Sequence, residues 1–408
     1  MRVVTLPGTR SLIHSLRYCP TVRRSGAGVS GEDLLEAAAR GWRRHSKSGE
    51  WPGRVDVLIG GPSCQGFSVI GQRSIIDERN TLLLEFVRMV EEIEPIAFCL
   101  ENVPGLLEAR YQPIRETVFA KLRNAGYRIL GESVAVNALD FGVPQNRKRV
   151  LAYGIRDFDP PALVSFVSTS TTVGDAFEGL AEPSQYEILR DQDWVRLAPS
   201  DTKLRRQTKN QYARYLSGID PDPSDKSRPR SWSRLHLTNS LLTRHALETM
   251  VRFAKTKPGT EERVSHYFRL SMAGSSRTLR AGTGRERGAF TSPRPIHPIH
   301  PRVITAREAA RLHSFPDWFR FNVTNWHGHR QIGNSVPPLL ARAVASTLST
   351  ALGHAPARPT RLLAAQDASL LSLAMGDAKG IVMAELPPRR SSTSLKPEAL
   401  GSIRSVTA

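Results

Sequence analysis

Cysteine is scarce: Cys19, Cys64 and Cys99 are the only three in 408 residues. Their irregular spacing gives neither a disulfide framework nor a zinc-ligand pattern, so no metal site is expected. Reduced thiols in a cytoplasmic protein fit this usage best. Long apolar runs are missing as well. No stretch approaches the length that spans a bilayer. Arg10 and Arg17 interrupt the start of the chain, so no signal-peptide core forms. Acidic residues are in deficit: 38 Asp and Glu stand against 57 Lys and Arg, a formal net charge of +19. Such a field attracts polyanions, of which nucleic acid is the commonest large one. Solvated basic tails give the same count, so charge alone does not identify the partner. A hydrophobic share of 40% suits a soluble globular protein with loose segments, and 408 residues suit more than one domain.

What is present centres on Val55-Asp56-Val57-Leu58-Ile59-Gly60-Gly61-Pro62-Ser63-Cys64-Gln65-Gly66-Phe67-Ser68. An apolar run over 55–60 reads as a strand buried on both faces, as in parallel sheets. It stops at two glycines and a proline, and a thiol follows. Over 81–93, Leu82, Phe86, Met89, Val90 and Ile93 recur at helical spacing, and Pro95 ends that helix. Residues 96–100 read as a second buried strand, with Cys99 as plain core, closed by Glu101-Asn102-Val103-Pro104. A strand–helix–strand unit makes the two strands parallel. Their carboxyl ends then share one edge, where open α/β sheets bind ligands. Topology thus brings Cys64 and Glu101 together.

A helix follows near 113–124, then strands at 127–136 and 149–155 joined by a loop that suits an antiparallel pair. That loop carries Gln145-Asn146-Arg147-Lys148-Arg149. Residues 157–300 show little period and many Arg, Ser, Thr and Pro, with a helix expected over 240–254. Periodicity returns at 305–313, and a last helix is expected at 337–351. Residues 1–30 show no sustained period. Their Gly26-x-Gly28-x-x-Gly31 follows Arg23-Arg24-Ser25 rather than a strand, so it reads as a chance match. Residues 32–44 suit a short helix. The composition of 353–408 predicts a largely disordered tail, with a short helix at 362–375.

Each residue has an ordinary reading. Cys64 alone is a small hydrophobe, Glu101 a cap, and Arg147 and Arg149 a surface pair. Together at one edge they suit conjugate addition to a heterocycle. The thiol is activated by backbone N–H groups or cations. The carboxyl shares a proton with a ring nitrogen. The two alternating guanidinium forks face one side and suit a carbonyl oxygen and a phosphate.

These residues resemble the DNA (cytosine-5)-methyltransferase family. Gly60-Gly61-Pro62-Ser63-Cys64-Gln65-Gly66-Phe67-Ser68 is similar to its catalytic motif, and Glu101-Asn102-Val103 to its second. Gln145-x-Arg147-x-Arg149, Arg302-x-x-Thr305-x-Arg307-Glu308 with Phe315-Pro316-Asp317, and Gly333-Asn334-Ser335-Val336-Pro337-Pro338 follow in family order. The resemblance covers roughly residues 55–350. It implies an α/β fold: a Rossmann-like S-adenosylmethionine-dependent methyltransferase sheet with a smaller, irregular target-recognition domain. The expected layout is a poorly ordered segment at 1–30, the catalytic α/β domain at 31–156, target recognition at 157–325, a return helix at 326–352 and the tail.

The implied reaction takes place on a cytosine flipped out of double-stranded DNA. Cys64 attacks ring carbon 6 and Glu101 holds and protonates ring nitrogen 3. Carbon 5 takes the methyl group from S-adenosylmethionine, and loss of its proton expels Cys64. Arg147 and Arg149 steady the base and the active-site loop. Pro62, Leu82, Asn334 and Ser335 touch the cofactor. The implied protein is monomeric, cytoplasmic and unattached to membrane, with a cognate restriction endonuclease as partner.

Two departures stand out. Ser63 replaces a second proline, which the remaining Pro62 makes tolerable. The family's opening strand and Phe-x-Gly-x-Gly turn have no counterpart, because the Gly26 match is too near Cys64. The cofactor half is therefore expected to be incomplete at its amino-terminal side, through a misplaced start or a truncated gene. Two alternatives stay open: a remnant that binds DNA without cofactor, and the family's transfer-RNA branch, whose residues after the cysteine differ from those here.

Overall fold

Strand β2 (Val57–Gly60) forms from the apolar run and is buried along its whole length. It belongs to a computed structural model that describes residues 3–5, 55–62, 81–165, 170–221, 225–226, 229–282, 294–360 and 371–372. Helix α1 (Thr81–Ile93) has the bounds its period predicts, and it buries Leu82, Leu83, Phe86, Val87, Met89, Val90 and Ile93. Strand β3 (Ala97–Asn102) then pairs parallel with β2, Gly60 opposite Leu100. The predicted strand–helix–strand unit is therefore present.

Helix α2 (Gln112–Asn124) follows. The expected strand at 127–136 is in fact two, β4 (Tyr127–Leu130) and β5 (Ala135–Asn137). Gly131 makes the break: its φ is +83°, and a Cβ there would lie 2.1 Å from the Leu151 carbonyl oxygen. Both pieces pair with β7 (Lys148–Arg156), antiparallel as expected, and β7 also pairs antiparallel with β3. A short strand β6 (Gln145–Asn146) precedes β7 and pairs with a segment far along the chain, β10 (Ser276–Arg277).

The described residues at the amino-terminal end form an element that the sequence does not announce. Strand β1 (Val3–Thr5) lies parallel to β2, Val3 opposite Val57, and extends the six-stranded sheet at the edge beyond β2. The expectation of an amino-terminal side with no strand is corrected to that extent. Three residues are too short to leave a periodic signal. Cys19, the Gly26 motif, the 32–44 helix, Cys64 and most of the 362–375 helix lie outside the described residues.

Alternation along the strands sorts the core into two faces. Leu58, Phe98, Leu100 and Ala152 pack with α1 and α2. Val57, Ile59, Ala97, Cys99, Leu151 and Tyr153 pack against α9 (Pro338–Ala351), through Leu339, Leu340, Ala343, Val344 and Leu348. Burying these apolar side chains stabilises each layer by many kcal/mol, at roughly 25 cal/mol per Å².

Between β7 and α9 the chain builds a second, irregular body. Its core joins Val173, Ala176 and Phe177 of α3 (Val173–Phe177) to Ala306, Ala309 and Ala310 of α7 (Ala306–Leu312), and to Phe315, Phe319, Phe321 and Ile332. Short elements decorate it: β8 (Trp194–Arg196) paired with β9 (His236–Thr238), α4 (Pro199–Arg206), α5 (Gln211–Leu216) and α6 (Leu247–Lys255). The helix expected over 240–254 thus begins later. Helix α8 (Asn325–Asn334) packs with this second body through Ile332, and the sheet's own core resumes only at Val336. In the tail, the Leu371 carbonyl accepts a hydrogen bond from Val323 N at 3.1 Å, so this point of it is docked.

Candidate active site

The site begins where β2 and β3 end. Because the strands are parallel and in register, the chain leaves Gly60 toward half-buried Pro62 beside the exit of β3 at Glu101. Gly60 is required by packing: a Cβ there would fall 2.3 Å from the Phe86 ring of α1. Glu101 is 7% exposed, and its Oε1 lies 3.0 Å from Arg149 Nε. Arg149 stands near the start of β7, which runs antiparallel to β3 and so delivers its amino-terminal end to the same edge. Thus Glu101, Arg149 and Pro62 are brought to one edge, and Cys64 follows Pro62 in the chain.

Asn102, next along β3, accepts from Val103 N at 2.9 Å through Oδ1. Its Nδ2 is buried and has no partner among the described residues. Buried donors are nearly always paired, so a donor left open at a strand end is a place for a polar ligand atom. Leu82 lies on the α1 side of the sheet and is buried in the core there.

Arg147 parts company with Arg149. The alternation is as read, with Lys148 exposed between them. Arg147, however, is 1% exposed and does not share the Glu101 carboxylate. Its Nη2 donates to the carbonyls of Gly333 at 2.8 Å and Ser335 at 2.9 Å, and its Nη1 to that of Leu279 at 3.1 Å. One guanidinium clamps the main chain of the last motif while the other orients the acid. The side-by-side reading of the two forks is corrected here: backbone carbonyls far along the chain compete for the first.

The last motif is correspondingly fixed. Ser335 is fully buried, and its hydroxyl donates to Ile332 O at 2.7 Å. Asn334 ends α8 at intermediate exposure. Gly333 lies against main chain, because a Cβ there would come 2.5 Å from Arg280 C.

The Arg302–Asp317 motif is scaffold in this structure. Thr305 and Glu308 close a capping box on α7. Arg302 forks onto Glu308 at 2.7 and 2.9 Å and onto Glu182 at 2.8 and 3.0 Å. Burial would raise the Glu308 carboxyl, but the Arg302 charge and hydrogen bonds override it and hold it at about 2. Arg311 forks onto Asp317 at 2.7 and 2.9 Å, which likewise outweighs burial and holds that carboxyl at about 2. One group among the described residues has the donor set for a metal ion: Glu182, His297 and His300. Arg302 already neutralises Glu182, and His297 Nδ1 accepts from the backbone N–H of Ile299 and His300 at 3.1 and 3.0 Å. Sequence reading missed Glu182, Arg311 and His313. None of them sits in a spacing that signals its distant partner.

Residues 41–350 match the family described as C-5 cytosine-specific DNA methylase. The chain belongs to that family. Within it, this methylase-family chain is 44% identical over 360 residues to the type II methyltransferase M.XorII of Xanthomonas oryzae pv. oryzae, covering 88% of this chain and 81% of that protein. It is 30% identical over 371 residues to M.AgeI of Thalassovita gelatinovora, covering 74% and 84%. A solved DNA modification methyltransferase encoded within an E. coli prophage is 31% identical, with a TM-score of 0.60 over 78% of this chain and 83% of that one. The methyltransferase fold expected from the sequence is the fold observed.

Proposed function

We propose that this chain is an S-adenosylmethionine-dependent DNA (cytosine-5) methyltransferase, the modification half of a type II restriction–modification system. The observation that carries the reading is the pairing of Glu101 with Arg149 at the edge where β2 leads toward Cys64.

Arg149 Nε engages Oε1 of Glu101, which leaves Oε2 as the oxygen proposed to face the base. That oxygen would hold ring nitrogen 3 of a flipped cytosine. The Cys64 thiolate adds to carbon 6, forming the carbon–sulfur bond as the double bond's electron pair moves toward carbon 5. A proton shared with Glu101 prevents a localised carbanion. After methylation, loss of the carbon 5 proton returns the electron pair and breaks the bond to Cys64. Pro62, Leu82, Asn334 and Ser335 would hold the cofactor, and the open Asn102 Nδ2 suits a polar atom there. When bound, S-adenosylmethionine supplies an electrophilic methyl group. The basic body between β7 and α9 would meet phosphates and base edges of double-stranded DNA. A monomer working in the cytoplasm beside a cognate endonuclease completes the proposal.

A second reading is a DNA-binding protein without methyl transfer. One experiment separates the two. Duplex DNA carrying 5-fluorocytosine, incubated with the protein and labelled S-adenosylmethionine, should give a covalent complex that survives denaturation. Cys64→Ala should abolish it and leave DNA affinity within about twofold. Normal DNA binding without any adduct from the unaltered protein would establish the second reading. Methyl transfer retained by Cys64→Ala would remove Cys64 as nucleophile.

A further inference from the structure

His313 follows α7 and has no role in the reaction as described. It is fully buried, and its ring lies parallel to that of Phe315 with centroids 5.8 Å apart. Its Nε2 is 3.0 Å from the Ser335 carbonyl oxygen, and its Nδ1 is 2.9 Å from Gln145 Nε2.

These partners settle the tautomer. A carbonyl oxygen only accepts, so Nε2 carries the proton and donates to Ser335. Nδ1 of the neutral ring then accepts from Gln145. Gln145 is itself fully engaged: Nε2 also donates to Leu312 O at 3.2 Å, and Oε1 accepts from Leu279 N at 3.1 Å. An amide turned the other way would set two oxygens against each other. The Ser335 carbonyl therefore receives His313 and Arg147 together. The next residue, Ser314, accepts from Leu339 N through its hydroxyl at 3.1 Å, at the start of α9.

We propose that His313 is a positioning residue for the methyl-donor pocket. As a neutral, tautomer-locked bridge it holds the Asn334–Ser335 turn at a set distance from the Gln145–Arg149 segment, and through Arg149 from Glu101. The proposal rests on the cofactor role given to Asn334 and Ser335 above. Gln145 is part of the same bridge, since it supplies the proton that Nδ1 accepts.

Two variants and three readouts test it. His313→Phe keeps the ring and deletes both nitrogens, whereas His313→Gln keeps one donor and one acceptor. In the unaltered protein without cofactor, nitrogen NMR should show a neutral Nε2–H ring at pH 5.5 whose signal is absent from both His313 variants, which assigns it to His313 apart from the other buried rings. Calorimetric binding of S-adenosylhomocysteine should weaken roughly tenfold or more in His313→Phe, the scale of one lost buried hydrogen bond. It should stay within about threefold in His313→Gln. KM for DNA should be unchanged in both. Equal S-adenosylhomocysteine affinity in folded His313→Phe and the unaltered protein overturns the proposal. So does a ring that titrates near its ordinary value. Failure of the unaltered protein to bind S-adenosylhomocysteine is a different result: it removes the cofactor reading, and this proposal with it.

Discussion

The two halves of the molecule are held together by different physics. In the sheet half, strands alternate Leu58, Phe98 and Leu100 on one face with Val57, Ile59 and Cys99 on the other, and helices cover both. In the body between β7 and α9 the largest buried side chains include Arg307 and Arg311. The difference follows from the backbone. Strands and helices pair their own carbonyls, whereas irregular loops leave carbonyls that something must reach. Arginine has five donors in a planar fork on a long stem, and its charge is then neutralised locally. Arg311 does this with Asp317 and the carbonyls of Ala176 and Glu178; Arg307 does it with carbonyls of Thr238, Pro316 and Phe319.

Three measurements would break or sharpen this contrast. The largest effect is expected for Arg311→Ala. It removes the forked partner of the buried Asp317 carboxylate, which keeps only Arg205 and Arg307 at 3.8 Å, and it unpairs two carbonyls, so the loss should be about 3–5 kcal/mol, read by urea unfolding. A loss below 1 kcal/mol would mean that the ion pairs merely accompany the aromatic cluster around Phe315. Leu58→Ala, in the centre of β2, removes apolar contact and leaves a cavity but no unpaired group. It should cost about 3 kcal/mol. If Leu58→Ala proves the costlier of the two, the contrast is wrong in direction.

The smallest effect is on acid stability. Burial lowers His297 to about 4 and His329 to about 3, and pushes His313 well below its ordinary range. The charged groups near them are Glu308, Arg302, Glu182 and His300 for His297, Arg147 and Arg149 for His313, and Arg294 and Glu308 for His329. An unfolded chain protonates these rings below about pH 6.5 and the folded chain does not, so stability falls as pH drops from there. Glu308 and Asp317, held at about 2, add their loss only below the ordinary carboxylate range. The melting temperature should therefore decline between pH 7 and 5, well above the range in which Glu308 and Asp317 titrate. A flat profile there would show that the rings are not buried neutral.

The same contrast explains what could be read in advance. Helix α1 and strands β2 and β3 declare themselves because Leu82, Phe86 and Ile93 repeat locally and Gly60 and Pro95 mark the ends. Glu101 could be placed at the edge to which β2 runs by topology alone. The targets of Gln145 and Arg147 were out of reach, because Leu279, Gly333 and His313 lie far away in sequence and contribute mostly main-chain atoms. Helix α8 stayed hidden for a related reason. Its Gly328, His329 and Gly333 are set by close packing rather than by an apolar period.

The grip of Arg147 has a consequence for how such a chain can change over time. Three of the groups it holds are carbonyl oxygens, of Leu279, Gly333 and Ser335. Every amino acid carries that atom. The clamp senses the path of the inserted body and is indifferent to the side chains along it. Side chains along that path can change without loosening these three contacts, so long as the path back to the sheet is kept.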